Sequence, residues 1–183
     1  MNLKYLNAKR IEIVVLILFS LWFLLILISP FLVQRNTVND LSGLVGQIDN
    51  SEAIEKMNAL PRIIYTIGDI YCHQKSDRSF FMNGNQMPFC ARDVGIFSGL
   101  IFGMLIVLLA PKIRISAITF VLMFIPLVID GTLQLFTSYE STNPVRVFTG
   151  ILAGIAVAML LSLLIRELFP DWGKNETKLS EDH

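Results

Sequence analysis

Four stretches of the chain carry no charged residue: 13–34, 94–111, 115–129 and 147–165. A helix needs roughly 20 apolar residues to cross a hydrocarbon core about 30 Å thick. Membrane spans are therefore predicted at 11–33, 92–111, 115–137 and 145–166. The third holds one acid, Asp130, and the second is short and begins inside a polar stretch. The apolar run of the first is too long for a signal peptide, and no small-residue cleavage site follows Ile28 to Phe31. It is read as an uncleaved helix. The expected fold is all-α, a four-transmembrane-helix bundle.

The segment 34–91 between the first two spans is predicted to form a helix-plus-hairpin cap. Asn50 or Ser51 is placed to cap a helix through SEAIEKMN, interrupted at Pro61. In RIIYTIGDIYC, residues Ile63, Ile64, Ile67, Ile70 and Tyr71 fall at helical spacing. Beyond Cys72, the runs SFFM and QMPF flank Asn83-Gly84, a dipeptide suited to left-handed turn angles. Such a hairpin folds Cys90 back toward Cys72 and His73. Glycines 95, 99 and 103 in the second span, with 150 and 154 in the fourth, mark close helix packing.

Composition agrees with the pattern. Of 183 residues, 54% are hydrophobic and 16% charged, and the mean hydropathy of +0.60 is too high for a soluble domain. The formal charge is zero, so no electrostatic case exists for a nucleic-acid partner. The lipid bilayer is the expected partner. Basic residues set the expected orientation: Lys4, Lys9 and Arg10, then Lys112 and Arg114, then Arg166, Lys174 and Lys178 all fall on one side of four crossings. That side is expected to be the cytoplasm of a multi-pass cell-membrane protein. Segments 1–10 and 167–183 are then cytoplasmic, and 34–91 and 138–144 extracytoplasmic. The sequon at Asn175 lies in the cytoplasmic tail and has no glycosylation meaning there.

Candidate chemistry concentrates at the outer ends of the spans. Cys72, His73, Cys90 and Asp93 are all residue types that ligate zinc, and Cys90 and Asp93 have an offset that suits one metal at a helix start. Adjacent Cys72 and His73 are a less comfortable pair, because neighbouring side chains tend to diverge. His73 is alternatively a general base. A disulfide between Cys72 and Cys90, worth about 3 kcal/mol, and free thiols are the other readings. Asp130 is predicted roughly 10–13 Å below the edge at Tyr139 and Glu140. An ionisable group there costs about 2.5–3.5 kcal/mol on insertion scales and needs a partner; Arg146 is the expected one. Gln134 stands one turn away on the same face. Patterns for phosphate loops, HExxH zinc sites and GxSxG nucleophiles are absent.

These residues carry a resemblance. CHQ at 72–74, RSFF at 78–81, QMPFCARD at 86–93, IDG at 129–131 and ESTN at 140–143 are similar to the membrane proteins grouped as domain of unknown function 2085. The resemblance covers about residues 68–156 and supplies no activity. It implies that Cys72, His73, Gln74, Arg78, Ser79, Cys90, Arg92, Asp93, Asp130, Gln134, Glu140, Ser141, Asn143 and Arg146 match family motifs. Many family members have cysteine where this chain has Asp93, which points here to mixed rather than all-sulfur ligation.

The leading functional expectation is a metal-dependent membrane enzyme. Cys72, Cys90 and Asp93 hold Zn²⁺ with His73 as ligand or base, and Asp130 with Gln134 orients water or ligand. Arg78, Arg92, Glu140, Asn143 and Arg146 receive a lipid-linked or anionic small-molecule substrate. The alternatives are a carrier or channel subunit, formed as a homodimer through the glycine faces, and a disulfide-braced accessory protein.

Overall fold

The computed structural model describes residues 8–41, 43–113 and 115–169. Lys4, Arg114, Lys174, Lys178 and the sequon at Asn175 lie outside the described residues. Six helices and one hairpin follow in order: α1 (Ala8–Ile28), α2 (Ser51–Glu55), α3 (Ala59–Tyr71), β1 (Ser79–Met82), β2 (Asn85–Cys90), α4 (Ala91–Leu109), α5 (Ala117–Phe136) and α6 (Asn143–Leu168). α1, extended by a one-turn 3-10 helix to Phe31, and α4, α5 and α6 are each long and apolar enough to cross a membrane. The described residues from Leu32 to Cys90 form a cap over one end of this bundle.

α4 and α6 run parallel and form its tightest contact. A Cβ on Gly99 would collide with the Ile151 carbonyl, and one on Gly154 with the Ile96 carbonyl. The small residues let the two backbones touch, as packing in lipid requires. These glycines therefore serve a contact inside the chain. α5 is different, because Asp130 is its one buried residue. Pro126 removes a backbone donor in its middle, so α5 is held mainly by the polar groups near its C-terminal end.

Local sequence explains the cap. Asn83 and Gly84 take φ of 54° and 72°, the left-handed pair that a tight hairpin needs. α2 stops at Glu55, and Pro61 lies in the first turn of α3, where its missing N–H costs nothing. Pro61 therefore helps begin a helix rather than interrupting one. The buried stripe of α3 is Pro61, Ile64, Tyr65, Gly68 and Asp69, while Ile63 and Tyr71 face outward. Gly68 is required by proximity, since a Cβ there would run into the Pro88 carbonyl of β2.

Side-chain amides then bind the long loop to the hairpin. Asn85 Oδ1 accepts from the N–H groups of Thr37 and Val38 at 3.0 and 3.1 Å, and its Nδ2 donates to the Pro30 carbonyl at 2.9 Å. Gln86 Oε1 accepts from Leu41 N–H at 2.9 Å, while its Nε2 donates to the Gln74 carbonyl at 2.5 Å. Both side chains are fully buried. A loop with little secondary structure of its own thus satisfies buried backbone groups through two amides.

Candidate functional site

Cys72 caps the C-terminus of α3, and Cys90 is the N-cap of α4. The hairpin between them returns the chain on itself, so the Cys90 N–H donates to Cys72 Sγ at 3.3 Å. The ligand atoms of Cys72, His73 and Cys90 all lie within 4.8 Å of one another. Cys72 and His73 thus converge although they are sequence neighbours. Gln74 adopts a φ of 44°, a left-handed state rare for this residue type, and turns the chain immediately after His73. Its buried side chain holds that turn, with Nε2 donating to the Pro88 carbonyl at 2.8 Å and Oε1 accepting from Asn50 Nδ2 at 3.3 Å. Asn50, expected as a helix cap, also donates through Nδ2 to Asp69 Oδ1 at 2.5 Å.

Asp93 joins the group from the first turn of α4, its Oδ2 lying 3.2 Å from Cys90 Sγ. The two thiols are free. The hydrogen bond with Cys72 holds Cys90 well below the ordinary thiol range, with a smaller contribution from His73 and against the opposing effect of burial. The same hydrogen bond, then burial, pushes Cys72 up. Of the two thiols, Cys90 is therefore the one whose environment favours the thiolate. A thiolate at a helix N-terminus is the form that acts as nucleophile or metal ligand.

A tetrahedral zinc with bonds near 2.3 Å to sulfur and 2.0 Å to nitrogen sets its ligand atoms roughly 3.5–3.8 Å apart. The Cys-His-Cys group meets that requirement by closing about an ångström. One hydrogen bond must yield. The Lys75 N–H donates to His73 Nδ1 at 3.1 Å. Ligation through Nδ1 uses the same lone pair, and ligation through Nε2 moves the ring proton to Nδ1. Either way the Lys75 contact is lost.

The remaining candidates form a second group, between α4, α5 and α6. Asp130 pairs with Arg92 rather than with the expected Arg146. Its Oδ2 also accepts from Gln134 Nε2 at 3.0 Å, and its Oδ1 from the Tyr139 hydroxyl at 3.4 Å. Arg146 turns the other way, donating to Gln134 Oε1 at 3.2 Å, Asn143 Oδ1 at 3.1 Å and Glu140 Oε2 at 3.4 Å. Arg78 reaches Glu140 at 2.8 and 3.0 Å from the cap, and Asn143 Nδ2 donates to the Ser79 carbonyl at 3.4 Å. Rotation of α4 decides the pairing. Position 92 faces α5, whereas 90 and 93 face the cap.

Among the described residues no hydrogen bond or ion pair runs directly between the two groups. They are neighbours joined by one helical turn, Cys90 to Asp93, and by the strap from His73 to Arg78. Both oxygens of Asp130 are already engaged. Asp130 and Gln134 thus position Arg92 and Arg146, and the geometry does not bring them to the thiols as catalytic groups.

A third polar cluster was not foreseen. At the opposite end of the bundle buried Glu12 accepts from Ser162 Oγ at 2.5 Å and from Arg166 Nε at 2.7 Å. Counting crossings brings Glu12 and Arg166 to the same end, so the signal was present in the sequence. It lay just outside the uncharged runs.

Comparison with known proteins agrees with this architecture. Residues 72–160 match the family described as "Predicted membrane protein (DUF2085)". An uncharacterized protein of Methanocaldococcus jannaschii is 29% identical over 87% of this chain and 96% of its own length. Another, from Methanothermobacter thermautotrophicus, is 38% identical over 51% of this chain and 86% of its own. No solved structure matches the chain. With its Cys-His motif, hairpin, α4, α5 and most of α6 inside the matched region, the chain belongs to the DUF2085 family of membrane proteins.

Proposed function

We propose that the protein is a membrane-embedded, metal-dependent enzyme with one zinc-type ion held by Cys72, His73 and Cys90. The observation that carries this reading is the closeness of those three ligand atoms, within 4.8 Å. Two sulfurs and an imidazole are the donor set of a zinc or similar borderline ion. Asp93 supplies the fourth donor. As the only hard oxygen in a soft set it is the ligand most readily exchanged for water or substrate, which is what separates a catalytic from a closed structural site. The ion would supply an electrophile. His73, half-buried at the rim, and Asp93 are the groups of this chain placed to hold a proton beside it. The arginines across the first turn of α4 suit a lipid-linked or anionic substrate.

The cap faces the extracytoplasmic side in this proposal, with both termini cytoplasmic, supported by the basic residues at the opposite ends of the spans. A carrier is less well supported. The bundle between the two polar ends is closed by the α4–α6 glycine contact, and Glu12 with Arg166 occupies its far end.

Elemental and thiol analysis of detergent-purified protein tests the reading. About one ion per chain is expected, lost in Cys90→Ser and weakened in the milder Asp93→Asn. Cobalt loading should give thiolate-to-metal charge-transfer absorption. Metal-free protein whose two cysteines resist alkylation until reduced would overturn the proposal in favour of a disulfide brace.

A further inference from the structure

Arg146 is only 3% exposed, yet its one carboxylate partner is Glu140, whose side chain is 63% exposed and 3.4 Å away. Its other partners, Gln134 and Asn143, are neutral amides. Arg78, 17% exposed, leans on the same carboxylate. Two largely buried guanidinium groups thus share one solvent-facing carboxylate. Asp77, itself 64% exposed, adds only a 3.6 Å contact to Arg78 Nε. That nitrogen is buried and makes no hydrogen bond, and the same holds for Arg92 Nε nearby. A buried cation normally has a close, well-directed counter-charge. Here the one carboxylate that bridges both cations, Glu140, and the second one beside Arg78, Asp77, are both mainly exposed to solvent.

Arg166 at the other end shows what a finished arrangement looks like. Its Nε, Nη1 and Nη2 all donate, to Glu12 and to the carbonyls of Pro111 and Val107. At the cap end, Arg78 Nε and Arg92 Nε find no acceptor among the described residues.

We propose that Glu140 stands in for an external phosphate group, and that a phosphate-bearing ligand displaces it to bind Arg78 and Arg146 directly. A phosphate dianion balances two guanidiniums, where a carboxylate balances one, and its oxygens match the guanidinium fork. Its additional oxygens offer acceptors to the unused Nε donors. Arg146 lies at the first turn of α6, at the end of a membrane span. Soluble phosphate compounds and lipid headgroups of the phosphate-monoester type share this chemistry. The inference names the substrate class for the enzyme proposed above, but the binding step itself requires no metal.

The test is thermal-shift titration of purified, metal-assayed protein with inorganic phosphate, against chloride at equal ionic strength. Phosphate should stabilise the wild type. Glu140→Gln, which removes the competing carboxylate and keeps its shape, should bind phosphate about tenfold more tightly, the weight of one charge-assisted hydrogen bond. Arg78→Gln, at the rim, should lose most of the response while remaining folded, and Arg146→Lys should weaken it by removing the fork. In nanodiscs, stabilisation by a minor fraction of phosphatidic acid in phosphatidylcholine identifies a headgroup, and stabilisation by inorganic phosphate alone identifies a soluble source. A folded Glu140→Gln protein that binds phosphate no better than wild type, or Arg78→Gln that binds it equally well, overturns the proposal. Metal content read on the same samples separates this failure from failure of the metal site.

Discussion

The bundle has an arginine–carboxylate cluster at each end, and the two are built differently. At the far end Glu12 and Arg166 join α1 to α6, and the guanidinium also reaches two carbonyls, at Val107 in α4 and Pro111 just beyond it. Every nitrogen of the guanidinium donates. At the cap end Arg92, Arg78 and Arg146 are spread over three segments, and their acids are one buried Asp130 and the exposed Glu140 and Asp77. Two buried nitrogens there make no hydrogen bond. In lipid an ion pair is tolerated only when desolvation is offset by complete pairing. The far cluster meets that condition and is a staple. The cap cluster falls short, which marks it as the end that meets something else.

The largest expected effect comes from breaking the staple. Glu12→Gln leaves Arg166 without a counter-charge and should cost about 3 kcal/mol, at the low end for a buried pair because Arg166 is partly exposed. Denaturant titration in mixed micelles measures this. Replacing both partners, Glu12→Met with Arg166→Met, should restore most of the loss, because apolar substitution of a whole buried pair is often neutral. Metal content and phosphate response should not change. A phosphate response that vanished with Glu12 would mean the two ends are not independent.

Asp130→Asn makes the matching break at the cap end and should cost less, about 1–2 kcal/mol. Gln134 and Tyr139 remain as partners for the amide, and Arg92 stands 24% exposed. Added phosphate should recover part of that loss and none of the loss in Glu12→Gln. Equal costs at the two ends, both indifferent to phosphate, would erase the distinction.

How much of this was readable beforehand follows the same division. Uncharged runs, the glycine pattern and Asn83-Gly84 identified the spans, two close-packing helix faces and the hairpin, because each depends on local spacing; that the two glycine faces meet each other came only with the structure. The partner of Asp130 was not legible, since Arg92 and Arg146 both reach the cap end and only helix rotation selects between them. The meeting of Cys72 with His73 was not legible either, because adjacent side chains ordinarily diverge, and the left-handed Gln74 beside them is a backbone state that nothing in the residue type announces. Nor could Asn85 and Gln86 be recognised as the anchors of the loop. Their partners are backbone groups about 45 to 55 residues away.

Between the charged ends the α4–α6 seam makes a neutral control. A Cβ on Gly103 would stand 2.7 Å from Ala158 Cβ and 2.8 Å from the Ile155 carbonyl. Gly103→Ala should cost about 1–2 kcal/mol by overpacking. Adding Ala158→Gly should return part of it, leaving the carbonyl contact unrelieved. Full recovery would show that α4 and α6 can slide, and so that neither end is rigidly placed by the other.

The smallest effect tests whether the cap holds together without charge at all. Tyr65 is fully buried in it and donates to the Gln86 carbonyl at 2.6 Å. Tyr65→Phe should therefore cost about 1 kcal/mol, the ordinary value of one such hydrogen bond. Burial pushes the phenol above its usual range. A group whose pKa is higher folded than unfolded stabilises fully below the unfolded value, near pH 10, and loses that contribution as pH rises toward the folded one. Wild-type stability should thus fall as pH increases above about 10, with a shallower fall in Tyr65→Phe. The slope difference isolates a neutral buried bond from both ion-pair clusters, whose arginines remain protonated there. If the two proteins lose stability in parallel above that pH, the phenol is exchanging with water, and the cap is less closed around its amide belt than the staple is around Glu12.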